Sequence, residues 1–263
     1  MKAYFEGWYL KHQSETDSLA LIPSCHYDAQ GTATGSLQVV TPEWSRQVNF
    51  LGFEHQRKRD SFLLGENYFS KRGCLLNLQI PGLTLSGPLC YGPLRPPAGD
   101  VMGPFRWVPF LQCRHSVFSQ CHSVIGTVSV NGKRMIFDQS VGYMEGDRGH
   151  SFPERYLWTQ CSWGQEGIMV SVADVPLWGR SIKGCIALVW LEGKGYRLAT
   201  YLGARVIRVD RNSAEIRQGN LRLEVAALER QNDTPLLAPR QGTMIRTIHE
   251  SLTGTVRYRL RAG

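Results

Sequence analysis

"TVSVNGKRMIF", residues 127–137, sets Asn131-Gly132 between two runs of alternating apolar and polar residues. Asn-Gly suits a two-residue β-turn because both central positions need positive φ, which these two residues tolerate best. The stretch therefore predicts a tight hairpin, Thr127–Val130 against Lys133–Phe137. Working outward, the same period of two recurs at Val48–Phe53, Ser61–Phe69 and Cys74–Ile80, and again at Gly167–Ala173, Cys185–Leu191 and Tyr196–Leu202. Only Leu221–Arg230 is ambiguous, since it opens by alternating and closes on helix formers. Many short strands at hairpin spacing predict an all-β chain, an antiparallel barrel or sandwich.

The 263 residues are 42% apolar and 20% charged, enough for one large or two ordinary folded domains. Met1-Lys2 is followed by an aromatic stretch holding Glu6, not by the uninterrupted apolar core of a secretory signal, and the longest apolar run, Cys185–Leu191, has strand length. A soluble, cytoplasmic protein is the expectation. The seven cysteines include no C-x-x-C pair, and Cys113-Arg-His115 with Cys121-His122 fits no common zinc spacing, so reduced thiols and no metal are expected. The net charge of +8 collects at His55–Arg59 and Arg257–Arg261. Such basic residues attract anionic surfaces, and they also protect hairpin tips and edge strands from pairing. The second reading is preferred. Without a basic helix or basic residues interleaved with stacking aromatics, no nucleic-acid partner is expected; peripheral contact with a membrane surface stays open.

Residues 87–113 hold six of the 13 prolines and few strand-like runs, which reads as a connection between domains. On either side of it stands an echo: Tyr4-Phe5-Glu6-Gly7 and Tyr143-Met144-Glu145-Gly146. A duplicated barrel accounts for such a repeat.

The second copy sits in the densest polar-aromatic stretch, "GYMEGDRGHSFPERYLWTQ" (142–160). If it is extended, Tyr143, Glu145 and Asp147 share one face, as Tyr4, Glu6 and Trp8 do in the first copy. Two carboxyls about 7 Å apart on one face disfavour joint ionisation, and burial raises their pKa further, so one can stay protonated and act as an acid. The bland alternative pairs them with Arg148 or Arg155. Trp8, Trp107, Tyr143, Phe152, Tyr156 and Trp158 can line an apolar pocket whose π-faces stabilise a cation, or fill a core. His115 and His122 are spare acid–base candidates. G-x-S-x-G, H-E-x-x-H, P-loop and dinucleotide-binding signatures are missing.

Five segments, "YFEGWYLKHQ" (4–13), "MGPFRWVPFLQCRHSVFSQCH" (102–122), "GYMEGDRGHSFPERYLWTQC" (142–161), "YRLATYLGA" (196–204) and "LLAPRQGTMIRTIHES" (236–251), together resemble the tocopherol cyclase family, its shorter bacterial members in particular. The family looks like a relative of two-domain lipocalin-like proteins that include carotenoid hydratases. The resemblance implies two consecutive lipocalin-like antiparallel β-barrels packed together. Residues 1–116 would form the first, ending in a proline-rich connection over 87–116, and 117–263 the second. It also implies acid-catalysed ring closure with no cofactor: a prenyl double bond is protonated and a phenol oxygen captures the cation. By that resemblance Glu145 and Asp147 are the candidate acids with Glu6 a further one, and Trp8, Tyr143, Phe152 and Trp158 are pocket walls. Trp107, His115, His122, Ser151, Tyr156 and Gln160 complete the expected substrate-binding set. Gly146 and Arg148 stand where Lys and Trp are frequent in the family, and Tyr156 where Trp is, a departure that bears on the substrate more than on the fold. Two functions stay open: an intramolecular cyclase of the isomerase or lyase type acting on a prenylated aromatic or similar lipophile, and a non-catalytic lipocalin-like carrier of such a molecule.

Overall fold

A computed structural model describes residues 3–109, 111–177, 180–230 and 234–263. The first half of the chain supplies strands β1 (Tyr4–Gln13), β2 (Ser18–Tyr27), β3 (Ala33–Val40), β4 (Ser45–Leu51), β5 (His55–Lys58), β6 (Ser61–Leu64), β7 (Asn67–Ser70), β8 (Gly73–Ile80), β9 (Leu83–Tyr91), β10 (Cys113–Val130) and β11 (Lys133–Gly149). They form one antiparallel sheet in the order β4-β3-β2-β1-β11-β10-β9-β8-β7-β6-β5. Its two outer strands, β4 and β5, are consecutive in the chain and joined by a single 3-10 turn, Gly52–Glu54, so the sheet curls into a barrel. The Asn131-Gly132 hairpin forms as expected, with φ of 51° and 80°.

Alternation along each strand sends one set of side chains into the barrel, where Trp8, Leu10, Phe62, Phe69 and Phe137 are packed solid. The other set points outward. On β1, β2, β3, β10 and β11 that outer face is itself covered, by the second half of the chain. There, β12 (Tyr156–Trp163), β13 (Glu166–Leu177), β14 (Arg180–Leu191) and β15 (Lys194–Ala199) make one sheet. A second consists of β16 (Arg205–Val209), β17 (Ser213–Gln218), β18 (Leu221–Arg230) and β21 (Gly254–Ala262), and β19 (Thr234–Arg240) pairs with β20 (Thr243–Glu250) alone. Ile168, Val170 and Ala187 of the first sheet meet Ile216, Leu223 and Val225 of the second in a separate core. Two junctions fasten this half to the barrel: Val117 and Tyr143 against Met169 and Leu188, and Ala20 and Val40 against Leu236 and Leu252. The side chain of Gln38 adds a two-way link, donating to the Leu237 carbonyl at 2.9 Å and accepting from its N–H at 2.8 Å.

The expectation of a second closed barrel needs correction. Among the described residues one sheet curls into a barrel; the three sheets of the second half are not joined into another. The proline-rich segment leaves β9 and returns to β10, its neighbour in the same sheet, so it does not pass from one barrel to the next. A boundary at 116/117 falls inside β10. The two Tyr-x-Glu-Gly elements lie in one barrel and not in two, because β1 and β11 are hydrogen-bonded neighbours with Trp8 opposite Gly146. Leu221–Arg230, ambiguous in sequence, is a strand because β17 and β21 pair with both its edges, and a bulge between Ala227 and Glu229 absorbs its helix formers. The basic C-terminus is the edge strand β21, with Arg259 and Arg261 lying 3.7 and 3.9 Å from Glu224.

Candidate active site

Strand β11 carries Tyr143, Glu145 and Asp147 on its outward face. Across the ladders Tyr143, Glu145 and Asp147 face Lys11, Tyr9 and Gly7 of β1, and the two acids face Val117 and His115 of β10. Glu145 is buried, and its Oε2 accepts hydrogen bonds from Tyr143 Oη at 2.5 Å and Trp158 Nε1 at 3.2 Å. His115 stands between the two acids: Nδ1 donates to Asp147 Oδ1 at 3.0 Å, and Nε2 lies 3.4 Å from Glu145 Oε2 outside hydrogen-bond geometry. Cys113 Sγ donates to the same Asp147 oxygen at 3.4 Å.

Burial is the largest influence on Glu145 and raises its carboxyl. The His115 cation opposes that, Asp147 adds to it, and the Tyr143 and Trp158 donors oppose it, leaving the group at about 7. For His115 burial favours the neutral ring, but Glu145 and then Asp147 outweigh it and lift the imidazole to about 9. Near neutral pH the cluster thus combines an imidazolium with a carboxyl poised to be a neutral acid.

These groups open onto a cavity of about 210 Å³ between the outer wall of the barrel and the second half of the chain. Phe5, Gly7, Tyr9 and Ile22 of the barrel form its floor; Trp158, Ser171, Ala173 and Ile186 face them; Leu236, Met244 and Ile248 close one side. The proline-rich crossing adds Met102, Phe105 and Leu111, and is clamped by Arg197 on the Asp100 carbonyl at 3.1 Å and Tyr201 on the Val101 carbonyl at 3.0 Å. Aromatic rings meet edge-on around the acid, with Tyr9 5.3 Å from Trp158 and 6.5 Å from Tyr143. Polar atoms in this wall are few, as is usual in a small-molecule site.

The expected site residues divide accordingly. Glu145, Asp147, His115, Trp8, Phe152, Tyr156 and Trp158 line the cavity, and Tyr143 supports it through Glu145. Among the described residues neither acid pairs with an arginine: Arg155 is bound to Asp174 at 2.8 Å, and Arg148 lies opposite Glu6. Glu6 faces the barrel side of β1, where Arg57 holds it at 2.5 Å and Tyr4 donates to it at 3.1 Å. His122, seven residues from His115, falls on the opposite face; it is buried against Tyr91 in the barrel, where burial pushes its imidazole down to about 4. Trp107 is 75% exposed beneath the Arg106 guanidinium, outside the cavity. Ser151 accepts from the Gln241 N–H at 2.8 Å, a joint between segments, and Gln160 donates to Ser162 of its own strand at 2.6 Å. Gly146, where a Lys is frequent in the family, has no room for one: even a Cβ would come within 2.8 Å of Trp8 Cδ1 and Phe118 Cε2.

Tyr9, Phe5 and Glu250 line the cavity without having been singled out in sequence, as does Cys113, weighed there only as a metal ligand. Glu250 shares the face of β20 that carries Met244, Arg246 and Ile248, so alternation alone gave no signal that set it apart. A divalent cation is a further occupant to weigh, because one ligand atom from each of His115, Glu145 and Asp147 lies within 4.8 Å of the others. However, Glu145 Oε2 already receives two donors and His115 Nδ1 is committed to Asp147, an arrangement better suited to holding a proton.

No curated protein gives a significant match to the chain. Among solved structures, the crystal structure of a candidate AttH protein from Nitrosomonas europaea superposes with a TM-score of 0.51 at 10% identity, over 89% of this chain and 82% of that one. That likeness is one of fold. The sequence profile described as tocopherol cyclase-like matches residues 117–263, from the outer end of β10 through Glu145, Asp147 and Trp158 to the C-terminus. More than half of the chain is covered, and the chain belongs to the tocopherol cyclase-like family.

Proposed function

We propose that the protein is an acid-catalysed cyclase for a prenylated aromatic or similarly lipophilic substrate, with Glu145 as the acid. The observation that carries this reading is a carboxyl raised to about 7 inside an apolar, aromatic-walled cavity, with no guanidinium or ammonium beside it among the described residues. Both of its hydrogen bonds end on Oε2, which leaves Oε1 to bear the proton. Transfer of that proton to a prenyl double bond produces a tertiary cation. The cation then lies beside Tyr9 and Trp158, two cavity-lining rings whose π-systems stabilise positive charge, and the apolar walls keep water from capturing it. Asp147 and His115 hold each other in an ion pair and fix the field around the acid.

A carrier needs the same cavity but no acid. The test is turnover of a prenylated hydroquinone in deuterated water. The expected product is a chroman with one new deuterium on the carbon next to the oxygen-bearing carbon, and Glu145→Gln is expected to slow its formation on the order of 10²- to 10⁴-fold with binding changed only a few-fold. Tight binding without turnover or deuterium uptake by the wild-type protein would leave the carrier reading in its place.

A further inference from the structure

Ring closure moves two protons, and Glu145 accounts for one. The alkene carbon gains a proton, and the phenol loses one when its oxygen bonds to the cation. His115 is a poor receiver, since its two carboxylate neighbours keep it protonated, and Asp147 is engaged by that same imidazolium.

The cavity holds a second tyrosine–carboxyl pair. Tyr156, the first residue of β12, donates its Oη hydrogen to Glu250 Oε1, on the last residue of β20, at 2.7 Å. Both side chains line the cavity that Glu145 opens onto. No ion pair reaches Glu250 among the described residues, and burial first, then Asp147, holds its carboxyl above the ordinary range. The Tyr156 ring stands edge-on to Phe152 at 6.3 Å, which fixes where the hydroxyl points. Tyr9 lies between the two pairs, close enough for both Glu250 and Glu145 to raise its phenol.

We infer that Tyr156 and Glu250 form the phenol-receiving end of the site, building on the cyclase reading. Tyr156 Oη donates its hydrogen bond to Glu250 and retains lone pairs to accept one from the substrate's hydroxyl. When the cation forms, the phenol oxygen makes its new C–O bond as its O–H bond breaks; that proton passes to Tyr156 Oη while the proton of Tyr156 passes to Glu250. Glu250 then releases a proton to solvent, Glu145 takes one up, and the cycle closes with no oxidant or reductant. Tyr156 touches the substrate, and Glu250 acts through it as a positioning and proton-storing residue.

The experiment uses the full chain and a hydroquinone bearing one dimethylallyl arm, in deuterated water. Glu250→Gln and Tyr156→Phe, both close in shape to the native residues, are expected to slow ring closure on the order of 10²-fold while Glu145 still protonates the alkene. The stranded cation then loses a neighbouring proton, so recovered probe gains deuterium without closing. A merely structural role would not separate exchange from closure. Two outcomes overturn the inference while the cyclase reading stands: both variants close the ring at the wild-type rate, or both lose exchange along with closure while retaining the wild-type melting temperature. Absence of both chroman and exchange in the wild-type protein would instead remove the cyclase reading, and this inference with it.

Discussion

Tyr4–Glu6 and Tyr143–Glu145 make the same hydrogen bond, a tyrosine hydroxyl donating to the acid two residues on, yet their chemistry differs because their neighbours do. Arg57 meets Glu6 at 2.5 Å inside the barrel mouth, whereas Glu145 faces an apolar cavity with an imidazole as its nearest cation. This predicts opposite shifts in a pH–rate profile. The active form of Glu145 is protonated, so the rate should fall about tenfold per pH unit above about 7. Tyr143→Phe removes a donor that favours the carboxylate, so the falling limb should move to higher pH. Asp147→Asn removes a negative charge that favours the neutral acid, and the limb should move to lower pH. Equal limbs in all three proteins would show that another group titrates. At this scale the sequence was informative where the logic was local. Alternation alone put Tyr143, Glu145 and Asp147 on one face. It could not say which face of β1 carries Glu6 relative to the cavity, because Arg57 lies 51 residues away. Nor could it bring Glu250 to Tyr156, 94 residues apart.

The β10–β11 hairpin shows how one element serves stability at its tip and chemistry at its base. Gly132 has φ of 80° in open space at the tip, while Gly146 near the base lies against Trp8 and Phe118. Gly132→Ala should therefore cost about 1–2 kcal/mol from left-handed backbone strain alone, read by urea unfolding, with ligand affinity unchanged. Gly146→Ala places a methyl within 2.8 Å of the indole of Trp8, which also lines the cavity. Overpacking of that kind costs about 1–3 kcal/mol, and here it should weaken binding of the prenylated hydroquinone as well, read by tryptophan fluorescence. Loss of affinity in the tip variant, or none in the base variant, would contradict this division of labour. The Asn131-Gly132 turn was legible because its dihedral demand is met by only a few residue types. The hairpin's full length was not, because the bulges at Val117/Ser119, Ser119/His122 and Val124/Gly126 interrupt the alternation that would have announced it.

For the whole molecule, the decisive feature is that the cavity lies outside the barrel, against its wall. Alternation predicts two-faced strands, but it does not reveal that the second face of β1, β2, β3, β10 and β11 is covered by later sheets, or whether those sheets close. A barrel per half was a reasonable extension of the pattern; hydrogen-bond closure depends on strand order, which period-two sequence does not encode. The observed order makes a prediction about fragments. Residues 1–116 lack β11 and nearly all of β10, so β1 and β9 lose the partners that join the two ends of the sheet, and this fragment should be largely unfolded by far-UV circular dichroism. Residues 1–149 keep all eleven strands and the inner core, and should show a native-like β spectrum. They would also expose Phe5, Tyr9, Ile22, Val117 and Tyr143, each worth about 1.5–3 kcal/mol when buried, as one apolar patch of the size that drives association. Sedimentation should accordingly find the longer fragment folded and self-associated, and able to recover a monomeric state only when the second half is supplied. If residues 1–116 instead gave a soluble β-rich monomer, the first barrel would not need β10 and β11, and the Tyr143–Asp147 face could not be the wall on which the cavity is built.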